Sequence, residues 1–203
     1  MRADNLTGKP ANRQTGKLFV VSAPSGCGKT TLCKKLLGDD LGLVPSVSMT
    51  TRKMRAGERD GADYRFVSLK TFRETVKKKG FLEYEENFGH LYGTPRDPVE
   101  QNLRAGQAVL LSIDVKGAMK VRRTYPDSSV LVFIMPPSVG ELKKRLEARH
   151  SDDSASISTR LALAKREMAY RPRYDHVVVN DSLEGAYKKL RQIIQAELGP
   201  KGV

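Results

Sequence analysis

The chain has 203 residues, enough for one sizeable hydrophobic core with small insertions. Its 39% hydrophobic and 29% charged content fits a soluble globular protein, and no apolar run is long enough to span a membrane. A formal net charge of +13 implies anionic partners, either nucleic acid or phosphorylated small molecules. The arginines are scattered among motif positions and do not form one block with interleaved aromatics, so no specific nucleic-acid binding is expected. Two cysteines, Cys27 and Cys33, are too few for a disulfide framework or a four-ligand zinc site, and a reducing cytoplasm is the natural compartment.

Residues 1–16 carry no apolar segment of the secretory kind and read as a mobile polar tail. "LFVVS" (18–22) reads as a core strand, and "TTLCKKLLGDD" as a helix ending near Gly38. Between them, Ala23 to Thr30 spells A-x-x-x-x-G-K-T, a phosphate-loop signature with alanine in place of the first glycine. Backbone N–H groups of Ser25, Gly26, Cys27, Gly28, Lys29 and Thr30 would point at a β-phosphate from a helix N-terminus, with Thr31 beside them. Lys29 would reach the β- and γ-phosphates, and the Thr30 hydroxyl would ligate Mg²⁺. A glycine-rich turn with an exposed lysine is the competing reading, and the strand–loop–helix order argues against it.

"VPSVS" (44–48) reads as a second core strand. In residues 46–67, Arg52, Arg55 and Tyr64 offer two guanidinium forks and a phenol, a cradle for a phosphate monoester. A solvated basic loop is the alternative. A hairpin is expected at "EYEENFGHLYG". Glu83 there could accept from guanine N1–H and the 2-amino group at once. Ser48 and Thr94 could donate to O6 and N7, and a surface hairpin with ordinary charges is the alternative. "AVLLSI" (108–113) is a third core strand followed by Asp114, which reads as a second Mg²⁺ partner or a helix N-cap. A short helix follows Pro98, and Ser138 caps the helix in "SVGELKKRLEARH". Strands at 129–135 and 176–180 complete the set. The last helix places Leu183, Tyr187, Leu190, Ile194 and Leu198 at helical spacing, predicting one buried face.

Alternating strands and helices predict an α/β fold with a doubly wound parallel sheet. The expected organisation is a phosphate-loop core (17–48, 97–148 and 174–203), a small mixed α/β insertion (49–96) and a helical lid (149–173).

Taken together, "SAPSGCGKTTL", "SVSMTTRKMRAGERDGADYRFV", "FLEYEENFGHLYGT", "IDVKGA", "PPSVGELKKRLEAR" and "VVVND" resemble the guanylate kinase family, from about Lys17 to Leu198. The resemblance implies ATP and GMP (and dGMP) as substrates, with Mg²⁺, in a monomer or homodimer. It implies that Ser48, Glu83 and Thr94 read guanine and that Arg52, Arg55, Tyr64 and Tyr92 hold the GMP phosphate. Arg149 and Arg160 match the lid arginines that close over the transferring group, and with Lys29 and Arg52 they form the expected catalytic set. Asn180 matches a position near the adenine. Two residues depart from the family pattern. Ser112 stands where an acidic residue is usual at the guanine side, and His150 replaces the glycine after the first lid arginine. A catalytically silent binding module of the same fold is the alternative function. The damaged phosphate loop of such modules is not found here.

Overall fold

The computed structural model describes residues 16–148 and 154–199. In chain order, β1 (Leu18–Ser22) leads through the phosphate loop into α1 (Lys29–Leu37). Then come β2 (Leu43–Pro45), β3 (Met49–Thr50), β4 (Arg65–Phe66), α2 (Leu69–Lys77), β5 (Phe81–Asn87) and β6 (His90–Pro95). The chain continues through α3 (Arg96–Arg104), β7 (Ala108–Ser112), α4 (Val115–Thr124), β8 (Ser129–Met135), α5 (Val139–Glu147) and α6 (Ser154–Met168). A 3₁₀ turn at Arg171–Arg173, β9 (His176–Val179) and α7 (Leu183–Leu198) close it.

Two sheets result. The larger has strand order β2-β7-β1-β8-β9, and every neighbouring pair is parallel. A parallel sheet must be covered on both faces, and its strands should then be apolar throughout. β1 satisfies this with alternate side chains. Phe19 and Val21 pack with Leu32 of α1, Leu142 and Leu146 of α5, and Leu190 and Ile194 of α7. Leu18 and Val20 face the other way, onto Val99 of α3, Ala118 and Val121 of α4, and Tyr174. Each such side chain contributes about 1.5–3 kcal/mol by leaving water. The smaller sheet has order β4-β3-β6-β5, in which β5 and β6 form an antiparallel hairpin.

Helices α4, α5 and α7 start where a hydroxyl or carboxylate takes an orphan N–H group, whereas α1 and α3 have no side-chain cap. The Ser138 side chain accepts from Glu141 N, Ser182 from Gly185 N and Asp114 from Gly117 N. Three features differ most from the expectations above. The strand expected at 44–48 leaves the sheet after Pro45. Ser46 N still donates to Leu110 O, but by Met49 the chain pairs with Gly93 in the small sheet. α3 begins at Arg96, two residues before Pro98, because a proline in the first turn gives up no intrahelical bond. In α7, Ala186, Leu190 and Ile194 carry the burial, and Leu183 in the first turn is exposed.

The strand order places the site. From β1 the chain winds outward to one edge and back through β7. It then crosses β1 to wind outward through β8 and β9. A ligand crevice forms outside the carboxyl ends of the strands at such a reversal. The phosphate loop follows β1 and Asp114 follows β7, so both open into it. Among the described residues, no helix is long and apolar enough to cross a membrane.

Candidate active site

The phosphate loop is shaped by glycines in the left-handed region. Gly26 has φ 92° and Gly28 φ 83°, conformations that L side chains rarely adopt. Space is short as well, since a Cβ on Gly28 would lie 2.5 Å from Asn180 Nδ2. Asn180 braces the loop from behind. Its amide donates to Cys27 O at 2.8 Å, and its own main-chain oxygen accepts from Arg145 at 3.0 Å. Cys27 itself is fully buried. Thr30 and Thr31 stand exposed in the first turn of α1, which carries no acidic side chain to compete for an anion. The half-buried Lys29 points across the crevice, with Nζ donating to Ile113 O at 3.3 Å. Burial pushes its pKa down, and the nearby Cys33, Asp114, Glu167 and Glu83 oppose that shift.

A cleft of about 240 Å³ runs from this loop to the small sheet. Ser25, Lys29 and Asp114 line one end, and Ser48, Tyr64, Glu83, Tyr92 and Ser112 line the other. Asp114 fulfils the helix-cap reading with Oδ1, which accepts from Gly117 N at 2.8 Å. Its Oδ2 accepts from Asn87 Nδ2 at 2.5 Å.

Glu83 is the buried carboxylate at the small-sheet end of the cleft, at 6% exposure. Thr94 Oγ1 donates to its Oε1 at 2.5 Å across the β5–β6 pair. A Cβ on Gly117 would meet Glu83 Oε2 at 2.5 Å, so the first turn of α4 comes against the carboxylate where only a glycine fits. Burial pushes the Glu83 pKa up to about 7, the Thr94 hydrogen bond pulls it down, and Asp114 adds to the rise. Burial pushes the pKa of the nearby Cys33 thiol up, against the pull of Lys29 and the Ser112 hydroxyl.

The basic segment divides. Arg52 is buried, and its guanidinium donates to both oxygens of Glu58 at 2.7 and 3.0 Å and to Lys53 O at 2.6 Å. That pairing raises the Arg52 pKa and holds Glu58 below the usual carboxylate range. The guanidinium also lies 5.5 Å from the Tyr64 ring centre, and Tyr64 meets Tyr92 edge to face at 5.9 Å. Arg55 is exposed, and its main-chain N–H donates to Glu58 at 2.8 Å. The structure thus brings Tyr64 and Tyr92 to the cleft wall with Arg52 stacked against Tyr64. Arg55 points to solvent. Arg160 on α6 reaches the hairpin tip, with its guanidinium 5.3 Å from the Phe88 ring centre. Arg149 and His150 lie outside the described residues.

Comparison with known proteins shows the family of the chain. The family model described as guanylate kinase matches residues 15–197. The guanylate kinase of Wolbachia pipientis is 46% identical over 185 residues, covering 91% of this chain and 92% of its own. That of Thermus thermophilus is 49% identical over 182 residues, covering 90% and 82%. The crystal structure of guanylate kinase from Anaplasma phagocytophilum superposes with a TM-score of 0.78 at 36% identity, covering 92% of this chain and 88% of that one. The chain belongs to the guanylate kinase family. As a guanylate kinase family member it is a phosphotransferase, and the silent binding-module alternative is not favoured.

Several cleft residues escaped the sequence reading of this guanylate kinase fold. Glu167 of α6 lines the cleft with Ser25, Lys29 and Asp114, and its Oε2 is buried without a hydrogen-bond partner. Burial pushes its pKa up to about 7 beside Asp114, against the pull of Lys29. Its position in "KREMAY" looks like an ordinary charge on a helix face, and only the docking of α6 turns it inward. Asn87 ends β5 and Phe88 follows it in the turn, where their residue types signal little. Gly117 was legible as part of "IDVKGA" but without a reason for its lack of a side chain.

Proposed function

We propose that this phosphotransferase moves the γ-phosphoryl group of ATP to a phosphate oxygen of GMP or dGMP, giving ADP and GDP or dGDP. One observation carries the reading: a buried carboxylate, Glu83, shares one cleft with a phosphate-loop lysine, Lys29. The carboxylate suits the paired N–H donors of guanine, and adenine offers no such pair. The segment 49–96 would seat GMP, 149–173 would close over it, and 17–48, 97–148 and 174–203 would hold ATP. Small anionic substrates and the absence of a membrane-crossing helix among the described residues fit work in the cytoplasm.

The acceptor oxygen is already anionic near neutral pH, because a phosphate monoester has a second pKa of about 6. No general base is needed. The oxygen attacks γ-phosphorus in line, the bond to the β–γ bridging oxygen breaks, and ADP leaves. Ser48, Thr94 and Ser112 would orient the base around Glu83. Tyr64, Tyr92 and Arg52 would fix the GMP phosphate, with Arg52 exchanging its Glu58 oxygens for phosphate oxygens. Arg55 would swing in from solvent. Main-chain N–H groups of the loop and Lys29 would hold the ATP phosphates, and Asn180 would support the loop toward the adenine side. Arg149 and Arg160 would spread positive charge over the transferring group, an effect worth about 10³–10⁵ in rate in related chemistry.

The Asp114 carboxylate lines the lysine end of the cleft and the Thr30 hydroxyl follows Lys29 in the chain; both are hard oxygen donors, which fits Mg²⁺. Both would hold the ion, Asp114 through water, and bound Mg²⁺ neutralises charge on the phosphates.

The test is ADP release from ATP with GMP, dGMP, IMP, AMP, CMP and UMP in parallel. GMP and dGMP should react at least about 10²-fold faster than AMP, and Glu83→Ala should abolish that preference. Equal rates with AMP, or no turnover with any acceptor, would sink the proposal.

A further inference from the structure

We propose that Phe88, at the tip of the β5–β6 hairpin, is a positioning residue that holds Arg160 over the acceptor cleft. The proposal rests on the reading of Arg160 as a transfer residue given above. The Arg160 guanidinium lies 5.3 Å from the Phe88 ring centre, within cation–π reach. Arg160 belongs to α6 and Phe88 to the small sheet, so the contact joins two parts of the chain that flank the cleft. An arginine side chain has several rotatable bonds, and a ring that restricts it in advance removes part of the cost of placing it.

The backbone at Phe88 supports a role other than packing. Asn87 pairs with His90, so Phe88 and Gly89 form a two-residue turn, with φ 52° and 74°. Two positive φ values mark the type I′ geometry, in which asparagine before glycine is favoured and a bulky aromatic is strained. Burial does not offset that strain, because Phe88 is 55% exposed. What the ring does gain is a place in the cleft wall and the contact with Arg160.

The neighbouring residue extends the same arrangement. Asn87 Nδ2 donates to Asp114 Oδ2 at 2.5 Å. Two consecutive residues at one tip therefore reach the carboxylate at the end of β7 and the arginine of α6. Glu83 lies on the same strand, four residues before Asn87. Seating a base on Glu83 and placing Arg160 thus depend on a single hairpin.

The experiment compares Phe88→Leu, Phe88→Asn and Phe88→Tyr with the parent chain, and Arg160→Gln as the control. It reads kcat, KM for GMP and the melting temperature. Phe88→Leu and Phe88→Asn should lower kcat about five- to tenfold with KM within about twofold, and Phe88→Tyr should keep the parent kcat. Phe88→Asn should melt no lower than the parent, because asparagine accepts the turn conformation. In the Arg160→Gln background, Phe88→Leu should cause no further loss. A Phe88→Asn enzyme with parent kcat beside a slowed Arg160→Gln would overturn the Phe88 proposal alone. Full turnover in Arg160→Gln would overturn the reading of Arg160 and this proposal with it.

Discussion

The two ends of the cleft are built from different material. The phosphate end is mostly main chain: eight consecutive residues, two of them glycines at positive φ, with Asn180 bracing the loop from behind. The acceptor end is mostly side chains. Ser48 comes from a loop, Tyr64 from the edge of β4, Glu83 and Thr94 from facing strands, and Ser112 from the larger sheet. Main-chain donors are present whatever the side chains are, so the first end depends on backbone shape. The second depends on register, because a one-residue slip between β5 and β6 would part Glu83 from Thr94.

Lys29 is where the contrast should break most. It is the side chain on which the proposed phosphate site depends. Lys29→Ala should lower kcat about 10²–10³-fold, the usual cost of removing one aimed charge or donor. Its melting temperature should not fall, because burial already disfavours the Lys29 ammonium in the empty protein. Steady-state rates and a thermal melt check both halves. A kcat within tenfold of the parent would mean that backbone donors suffice.

Gly117→Ala sharpens the contrast from the other side. Alanine is the better helix former by about 1 kcal/mol, a gain that displacing the buried Glu83 carboxylate opposes, so stability should change little. Yet its Cβ would stand 2.5 Å from Glu83 Oε2, and the carboxylate must move. KM for GMP should rise about ten- to fiftyfold, the scale of one misplaced charged hydrogen bond. A variant that keeps its stability and still reads GMP normally would show that the acceptor end tolerates displacement.

The same contrast explains what could be read from residues alone. The doubly wound core was legible because buried parallel strands are short apolar runs and the phosphate loop is contiguous. Glu83 and Thr94 were legible because the hairpin that pairs them is local. Glu167 was not, because its inward aim comes from the docking of α6 onto the loop. The Arg52–Glu58 pair was missed for a similar reason. Both residues lie in a segment that reads as solvated charge, and only the turn that brings Glu58 back makes the bidentate contact. The early end of β2 was hidden because Ser46 keeps one sheet bond while the chain is already leaving.

The smallest effect is a pH dependence that belongs to the acceptor end. Burial pushes the Glu83 pKa up to about 7, so the empty protein holds this carboxyl largely protonated below neutrality. Guanine offers two donors and needs the ionised form. GMP affinity should therefore rise about fourfold from about pH 6.5 to 8, as the ionised fraction rises. Ionisation of the GMP phosphate, with its pKa of about 6, adds little over that interval. Stability carries the opposite sign. A carboxyl whose folded pKa is raised contributes stability that is complete below its unfolded pKa and is lost as pH rises through about 7. Glu167, also raised to about 7, adds to that loss. Glu83→Gln should remove the pH dependence of GMP binding and only part of the fall in melting temperature. Calorimetric titration of GMP at several pH values, with melts of the same samples, separates the two. An unchanged binding profile in Glu83→Gln would place the titrating group elsewhere and detach the base reader from this carboxylate.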